Sequence, residues 1–205
     1  YEHWNTALAS DAIFDAEFVW TDLPAGMSAD GAVADVYVKK SGADAVLYVK
    51  PGTGEGNAVV AVKVGTAIKW SWHIWATDYD PETTHYSYTS TGTKSATAPD
   101  AASTNVFMDR NLGAMSSIPG NAMSQGLMYQ WGRKDPFIGK NSWINSPDNM
   151  PVYNAYGNPF YSSTMNGYLT PNGGNPNNLD FAIENPTFFI GLDPELDQIG
   201  RDWYT

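Results

Sequence analysis

The segment that most constrains the fold runs from residue 58 to residue 75. AVVAVKV at 58–64 and IKWSWHIW at 68–75 are β-branched and aromatic runs flanking Gly65, Thr66 and Ala67, the chemistry of a hairpin with a three-residue connection. Successive strand residues point to opposite sides. Ile68, Trp70, Trp72 and Ile74 are therefore expected on one face, matched across the hairpin by Val60, Val62 and Val64. That face reads as core. Lys69, Ser71, His73 and Trp75 fall on the other, which is half polar yet carries an indole, the pattern of a face covered by another part of the chain or by a partner.

Residues 15–20, 33–39 and 45–50 read as further strands, the last two an antiparallel pair across Ser41 and Gly42, with a glycine-rich loop at 51–56. Five strands within the first 78 residues predict a β-sandwich-like module. Beyond it, the proline turn at 78–81 ends the strand, and 82–104 is a Thr/Ser/Ala-rich loop or irregular edge. Residues 106–112 form a short strand stopping at Gly113. Ser124 as an N-cap and Gly132 as a C-terminal stop favour a short helix over 125–131, with Leu127, Met128 and Trp131 on one face; a strand is the competing reading. Residues 141–178 are rich in Asn, Gly, Pro and Tyr with no apolar period, a long loop of the functional kind, and 181–190 recovers strand character. The expected class is α+β, mostly β, with a module at 1–78 and a second, loop-rich domain at 79–205.

Composition narrows the function. Charged residues make up only 16%, below the usual quarter, and Gly, Asn, Ser and Thr fill the shortfall, as on many extracellular β-rich proteins. The net charge of −11 opposes a nucleic-acid backbone or an anionic membrane as partner. Without cysteine there is no disulfide and no thiolate metal site, and no run approaches the ~20 apolar residues of a membrane span. Tyr1 is not an initiator methionine, so the sequence is expected to be a piece of a longer protein with any export signal outside it.

GNAVVAV at 56–62, WSWHIW at 70–75, MDRNLGA at 108–114 and GLMYQWGRKDPF at 126–137, with IENPTF at 183–188 and DWY at 202–204, resemble large surface-exposed proteins of Bacteroidetes. In those, a β-rich module precedes a Fibrobacter succinogenes major paralogous domain. The resemblance implies a C-type-lectin-like second domain and a fimbrillin-like or adhesin-like, often lipoprotein, setting: secreted, or anchored at the outer membrane on the cell surface. The family's further segment, with a Cys-Pro and a Trp-Arg motif, does not follow here. The resemblance thus implies that the second domain is incomplete.

The candidate residues fall into groups with competing roles. His73 is a general base or ligand on one reading and a hydrogen-bonded structural histidine on the favoured one; His3, His73 and His85 lack zinc spacing. Asp78, Asp80 and Glu82 alternate as calcium ligands do, but without the glycine and distal glutamate of an EF-hand, and turn-capping is favoured. Asp109, Arg110, Asn111, Arg133 and Asp135, beside Tyr129 and Trp131, suit either a sugar site with a stacking platform or an internal frame in which arginine forks tie loops to carboxylates; the frame is favoured. Trp143, Tyr153, Asn154, Tyr156, Asn158, Tyr161 and Tyr168 in the long loop are the candidate recognition residues. There is no G-x-S-x-G elbow, H-E-x-x-H, P-loop or dinucleotide motif, so no enzyme is expected, and no cofactor beyond the weak calcium candidates. The expected function is non-catalytic binding of a glycan or a surface protein. The alternatives are a fimbrial-type assembly subunit completed by a neighbour's strand and a carbohydrate-active enzyme built on Asp109 and Asp135.

Overall fold

The computed structural model describes residues 2–3, 6–7, 12–41, 44–80, 82–88, 94–95, 105–129, 133–138, 152–160 and 178–187. Its strands are β1 (Glu2–His3), β2 (Thr6–Ala7), β3 (Phe14–Thr21), β4 (Val33–Ser41), β5 (Asp44–Pro51), β6 (Gly56–Val64), β7 (Ala67–Ala76), β8 (His85–Tyr88), β9 (Lys94–Ser95), β10 (Asn105–Met108), β11 (Leu127–Tyr129), β12 (Pro136–Ile138), β13 (Val152–Tyr153) and β14 (Pro159–Phe160). A single α-helix, α1 (Asn178–Glu184), and a 3-10 turn at Ala122–Ser124 complete the described elements. The protein is mostly β, of the α+β class, and its sheets are antiparallel. It divides into two compact units, Tyr1–Ala76 with Met128–Thr205, and Thr77–Leu127.

The first unit is built on a five-stranded sheet in the order β14-β13-β3-β6-β7. All five strands expected in the first 78 residues are present, and β4 and β5 form the anticipated antiparallel ribbon. The sheet does not end there. The hairpin of β13 and β14, from the stretch read as an aperiodic loop, adds to its edge through the pairing of Tyr153 with Thr21. Two-residue strands carry no detectable period, and the exposed edge of β3 is what recruits them.

The central hairpin differs from expectation in one instructive detail. Val64 pairs with Ala67, so the connection is two residues, with Gly65 at a φ of 61°. The register then shifts between Val62 and Lys63, so that Lys63 lies opposite Ile68 while Val62, Val60 and Ala58 lie opposite Trp70, Trp72 and Ile74. The irregularity moves Ile68 to the Ser71 side of the ladder.

On the other side, Ala58 and Val60 form a core with Ala32 and Val33, against which Val36, Leu47 and Val49 of the ribbon and Phe18 and Ile74 of the sheet pack. A fully buried valine such as Val60 contributes roughly 2 kcal/mol. The ribbon alternates accordingly. Val36 pairs with Val49 and Val38 with Leu47, while Tyr37 stacks on Tyr48 on the exposed face, ring centroids 5.2 Å apart.

Two further expectations are corrected in this unit. Residues 178–184 form α1, which takes up 181–184 of the stretch expected to recover strand character; its Ala182 and Ile183 are buried and its Asp180 and Glu184 are exposed. Its C-terminal carbonyls are held from outside the segment by Arg133, a contact invisible to local propensity. Residues 127–129, expected as part of a helix, are β11, paired in a sheet with β12. Gly126 at a φ of 70° interrupts any helix that would run through it.

The second unit holds a three-stranded sheet in the order β10-β8-β9, so part of the stretch read as loop at 82–104 is strand. The segment after β10 is not a continued strand. It is a loop closed by Leu127 N–H donating to the Leu112 carbonyl at 2.9 Å and Met115 N–H donating to that of Met123 at 2.9 Å. Among the described residues no helix is long and apolar enough to cross a membrane.

Candidate functional site

The recognition residues expected in the long loop are only partly within the described structure; Trp143, Tyr161 and Tyr168 lie outside it, as does Trp131. The four that are described, Tyr153, Asn154, Tyr156 and Asn158, sit on one hairpin. Tyr153 is half-buried in β13. Asn154 turns the chain with its own side chain: Oδ1 accepts from the backbone N–H of Tyr156 at 2.9 Å and of Asn158 at 3.0 Å. Asn154 N–H donates to the Asn158 carbonyl, Gly157 N–H to that of Asn154, and Met27 N–H to that of Ala155, each at 3.0 Å. Gly157, at a φ of 73°, lies so close to Pro24 that a Cβ would stand 2.5 Å from its carbonyl oxygen. On this fixed turn the Tyr156 ring is 88% exposed.

The second feature is a cleft of about 450 Å³ between the ribbon and β7. Val38, Val46 and Leu47 form one wall and Trp70, Trp72 and Ile74 the other. The face of β7 expected to be wholly core is therefore partly open, with Trp72 38% exposed. The face expected to be half polar is closed. Ser71 is 3% exposed, and its hydroxyl donates to Asp135 Oδ1 at 2.6 Å. Lys134 Nζ donates to both oxygens of Asp135 at 2.8 and 2.9 Å, contacts Ser71 Oγ, and lies 4.7 Å from the centre of the Trp70 ring. Burial lowers the Lys134 pKa, and the Asp135 carboxylate works against that shift.

Beside this ion pair runs a chain of four polar groups. Asn57 donates to the Asp22 carboxylate from its backbone N–H and from Nδ2, both at 2.7 Å. A carboxylate only accepts, so the amide must present its NH₂ to Asp22 and its Oδ1 to His73 Nε2, 2.9 Å away. Nε2 therefore carries the proton, and Nδ1 accepts from the Tyr129 hydroxyl at 3.0 Å. Burial, partly opposed by Asp135, pushes the His73 pKa down to about 4. Burial and then the Asp135 charge push that of Tyr129 up to about 12. Both groups are neutral near pH 7, as this chain of donors requires.

Arg133 is almost fully buried. Its Nη2 donates to the carbonyls of Ala182, Asn185 and Pro186 at 3.2–3.4 Å, and its guanidinium lies 5.0 Å from the Phe137 ring centre. The positive group meets the negative end of α1. Burial pushes its pKa down to about 10, with Asp135 working against the shift. The fork to a carboxylate expected of Arg110 or Arg133 is made by Arg110, to Asp109.

In the second unit Arg110 donates through Nε and Nη2 to Asp109 at 2.8 and 3.2 Å and through Nη1 to Asp78 at 3.0 Å. Its guanidinium lies 5.4 Å from the Tyr79 ring centre. Asn111 Nδ2 donates to the Ser124 and Gln125 carbonyls. The weak calcium candidates are not gathered. Asp78 belongs to Arg110, while Asp80 accepts from Glu82 N–H and Thr83 Oγ1, which lower its pKa. Among the described residues no group of three or more His, Asp or Glu stands close enough to hold a metal ion.

Asp109 and Asp135, the carboxylates a glycosidase would need, are each paired with a cation, Arg110 and Lys134. Ser71, beside Lys134, is buried and already donates its proton to Asp135. The fold and these sites define a mostly β protein of the α+β class whose described ionisable clusters are hydrogen-bonded ties between its segments. No protein-family model, curated protein or solved structure matches the chain.

The residues that sequence reasoning missed are Asn57, Asp22 and Lys134. Asn57 stands among valines as the one amide of β6, which is a signal in itself. Nothing local marks Asp22.

Proposed function

We propose that the protein is a non-catalytic cell-surface binding protein that recognises a glycan or a protein partner through the turn at residues 154–158. The observation that carries this reading is Tyr156, 88% exposed on a turn whose backbone is fixed by Asn154 and by the Met27–Ala155 hydrogen bond. A large amphipathic ring with two side-chain torsions on an already ordered backbone loses little freedom on binding, and it offers one face to a sugar ring or an apolar side chain. Asn158 beside it is exposed and supplies amide donors and acceptors. The low-charge, amide-rich composition and the resemblance to Bacteroidetes surface proteins of the Fibrobacter succinogenes paralogous family support the same reading.

The test is a glycan array and a pull-down from the exterior surface of cells, with wild-type protein and Tyr156→Ala. A ligand whose affinity falls about tenfold or more in the variant is the expected result. The absence of any ligand for the full protein, together with an intracellular location, sinks the proposal. The alternative, an assembly subunit completed by a neighbour's strand, draws on the β4–β5 ribbon, which pairs with no third described strand. It requires concentration-dependent oligomers in light scattering.

A further inference from the structure

The cleft between the ribbon and β7 is separate in kind from the Tyr156 turn. Its volume of about 450 Å³ falls within the range of small-molecule sites, and its walls are aliphatic on the ribbon side and largely aromatic on the sheet side. Among the described residues that line it, the ionisable side chains are Lys69 and His73, and the only other side-chain polar groups are the indole N–H groups of Trp70 and Trp72. His73 has both ring nitrogens engaged, by Asn57 and Tyr129, and offers the cleft no charge. Lys69 offers an ammonium. Its partner is Glu184, 2.9 Å away, and both side chains are substantially exposed. An exposed pair of this kind is weak, so a competing anion displaces it at small cost.

A sugar or a polar peptide needs several donors and acceptors that these walls do not supply. An apolar body with a single anionic end is matched at every wall and at Lys69. We propose that this cleft binds a free amphiphilic carboxylate, its hydrocarbon body between Leu47 and Trp72 and its carboxylate at Lys69. The apolar contact supplies the affinity and the ammonium supplies the choice of head group.

The test is calorimetric titration of the full chain with decanoate, decanol and decyltrimethylammonium, each below its micelle concentration. One decanoate should bind per chain, about tenfold more tightly than decanol, with the cation weakest. Trp72→Ala, at a half-exposed position that leaves the fold intact by circular dichroism, should weaken decanoate and decanol alike. Lys69→Met should remove the preference for decanoate while sparing decanol, and Glu184→Gln should strengthen decanoate severalfold by freeing the ammonium. Equal binding of the three probes, binding indifferent to Trp72→Ala, or association with anionic phosphatidylglycerol vesicles but not with monomeric decanoate would overturn the proposal. Tyr156→Ala, which tests the surface-binding function, leaves these titrations unchanged, so either reading can fail alone.

Discussion

The two sides of β7 show how one strand can serve opposite ends. On one side Ser71 and His73 are closed over by Asp135, Lys134 and Tyr129, and every polar atom in these contacts finds a partner. On the other, Trp70, Trp72 and Ile74 face a cleft that the ribbon only partly covers. The closed side carries charge and is fully hydrogen-bonded in these contacts; the open side carries indoles and is accessible. Burial of polar groups is tolerable only with full pairing, whereas apolar side chains tolerate partial exposure at modest cost. Structural polarity therefore sits inside this unit, and ligand-accessible apolar surface sits outside.

The largest test of that contrast is Asp135→Ala, which leaves the Lys134 ammonium and the Ser71 hydroxyl without their partner. A loss of about 3 kcal/mol in urea unfolding is expected, because an unpaired buried charge is costly. A loss below about 1 kcal/mol would show that this side is hydrated and not closed.

Next in size is the pH response of His73. Its folded pKa, about 4, lies below the unfolded value of 6.5, so protons bind the unfolded chain first. Stability from this group is full above pH 6.5 and is lost as pH falls towards 4, with an upper limit of about 3 kcal/mol. Asp135 faces the imidazole and limits the shift, and Asp22, whose pKa burial raises, acts in the opposite sense at the acidic end. The histidine contribution is therefore read as the difference between wild type and His73→Gln. A difference that stays constant between pH 7 and pH 4 would mean that the imidazole is solvated.

Smaller effects belong to the open side. Trp72→Ala should cost about 2 kcal/mol, less than a fully buried tryptophan would, since 38% of the residue is already in water. A loss of several kcal/mol would make the cleft wall part of the core. Tyr156→Ala, with its ring almost fully exposed, should shift stability by no more than about 0.5 kcal/mol, which makes it a clean binding variant.

Much of the first unit was legible in the sequence. Period-2 alternation and β-branched runs located β3 to β7 to within a residue or two, because a half-buried strand writes its burial pattern directly into its residues. Arg110 and Asp109 are adjacent, and that tie is local. The reading was incomplete where a partner came from afar: that another part of the chain covers the Ser71 face was one of two expectations, but which part was not legible. Ser71 meets Asp135 across 64 residues, and that contact decides which face of β7 is closed. The C-terminal carbonyls of α1 are held by Arg133, and β13 exists because β3 has an edge to offer. The described part of the candidate recognition loop was identified by composition alone; its rigid turn depends on Met27 and Pro24, more than a hundred residues earlier.

The sequence by itself determined a mostly β chain, its principal strands, the ribbon and the absence of a known catalytic motif. These follow from side-chain period, β propensity and residue type, which act within a few residues. Tertiary structure alone decided that one face of β7 closes over an ion pair while the other opens into a tryptophan-walled cleft. Local pattern says which residues share a face. Only the folded chain, by what it brings from a distance to cover that face, says whether the face is core or site.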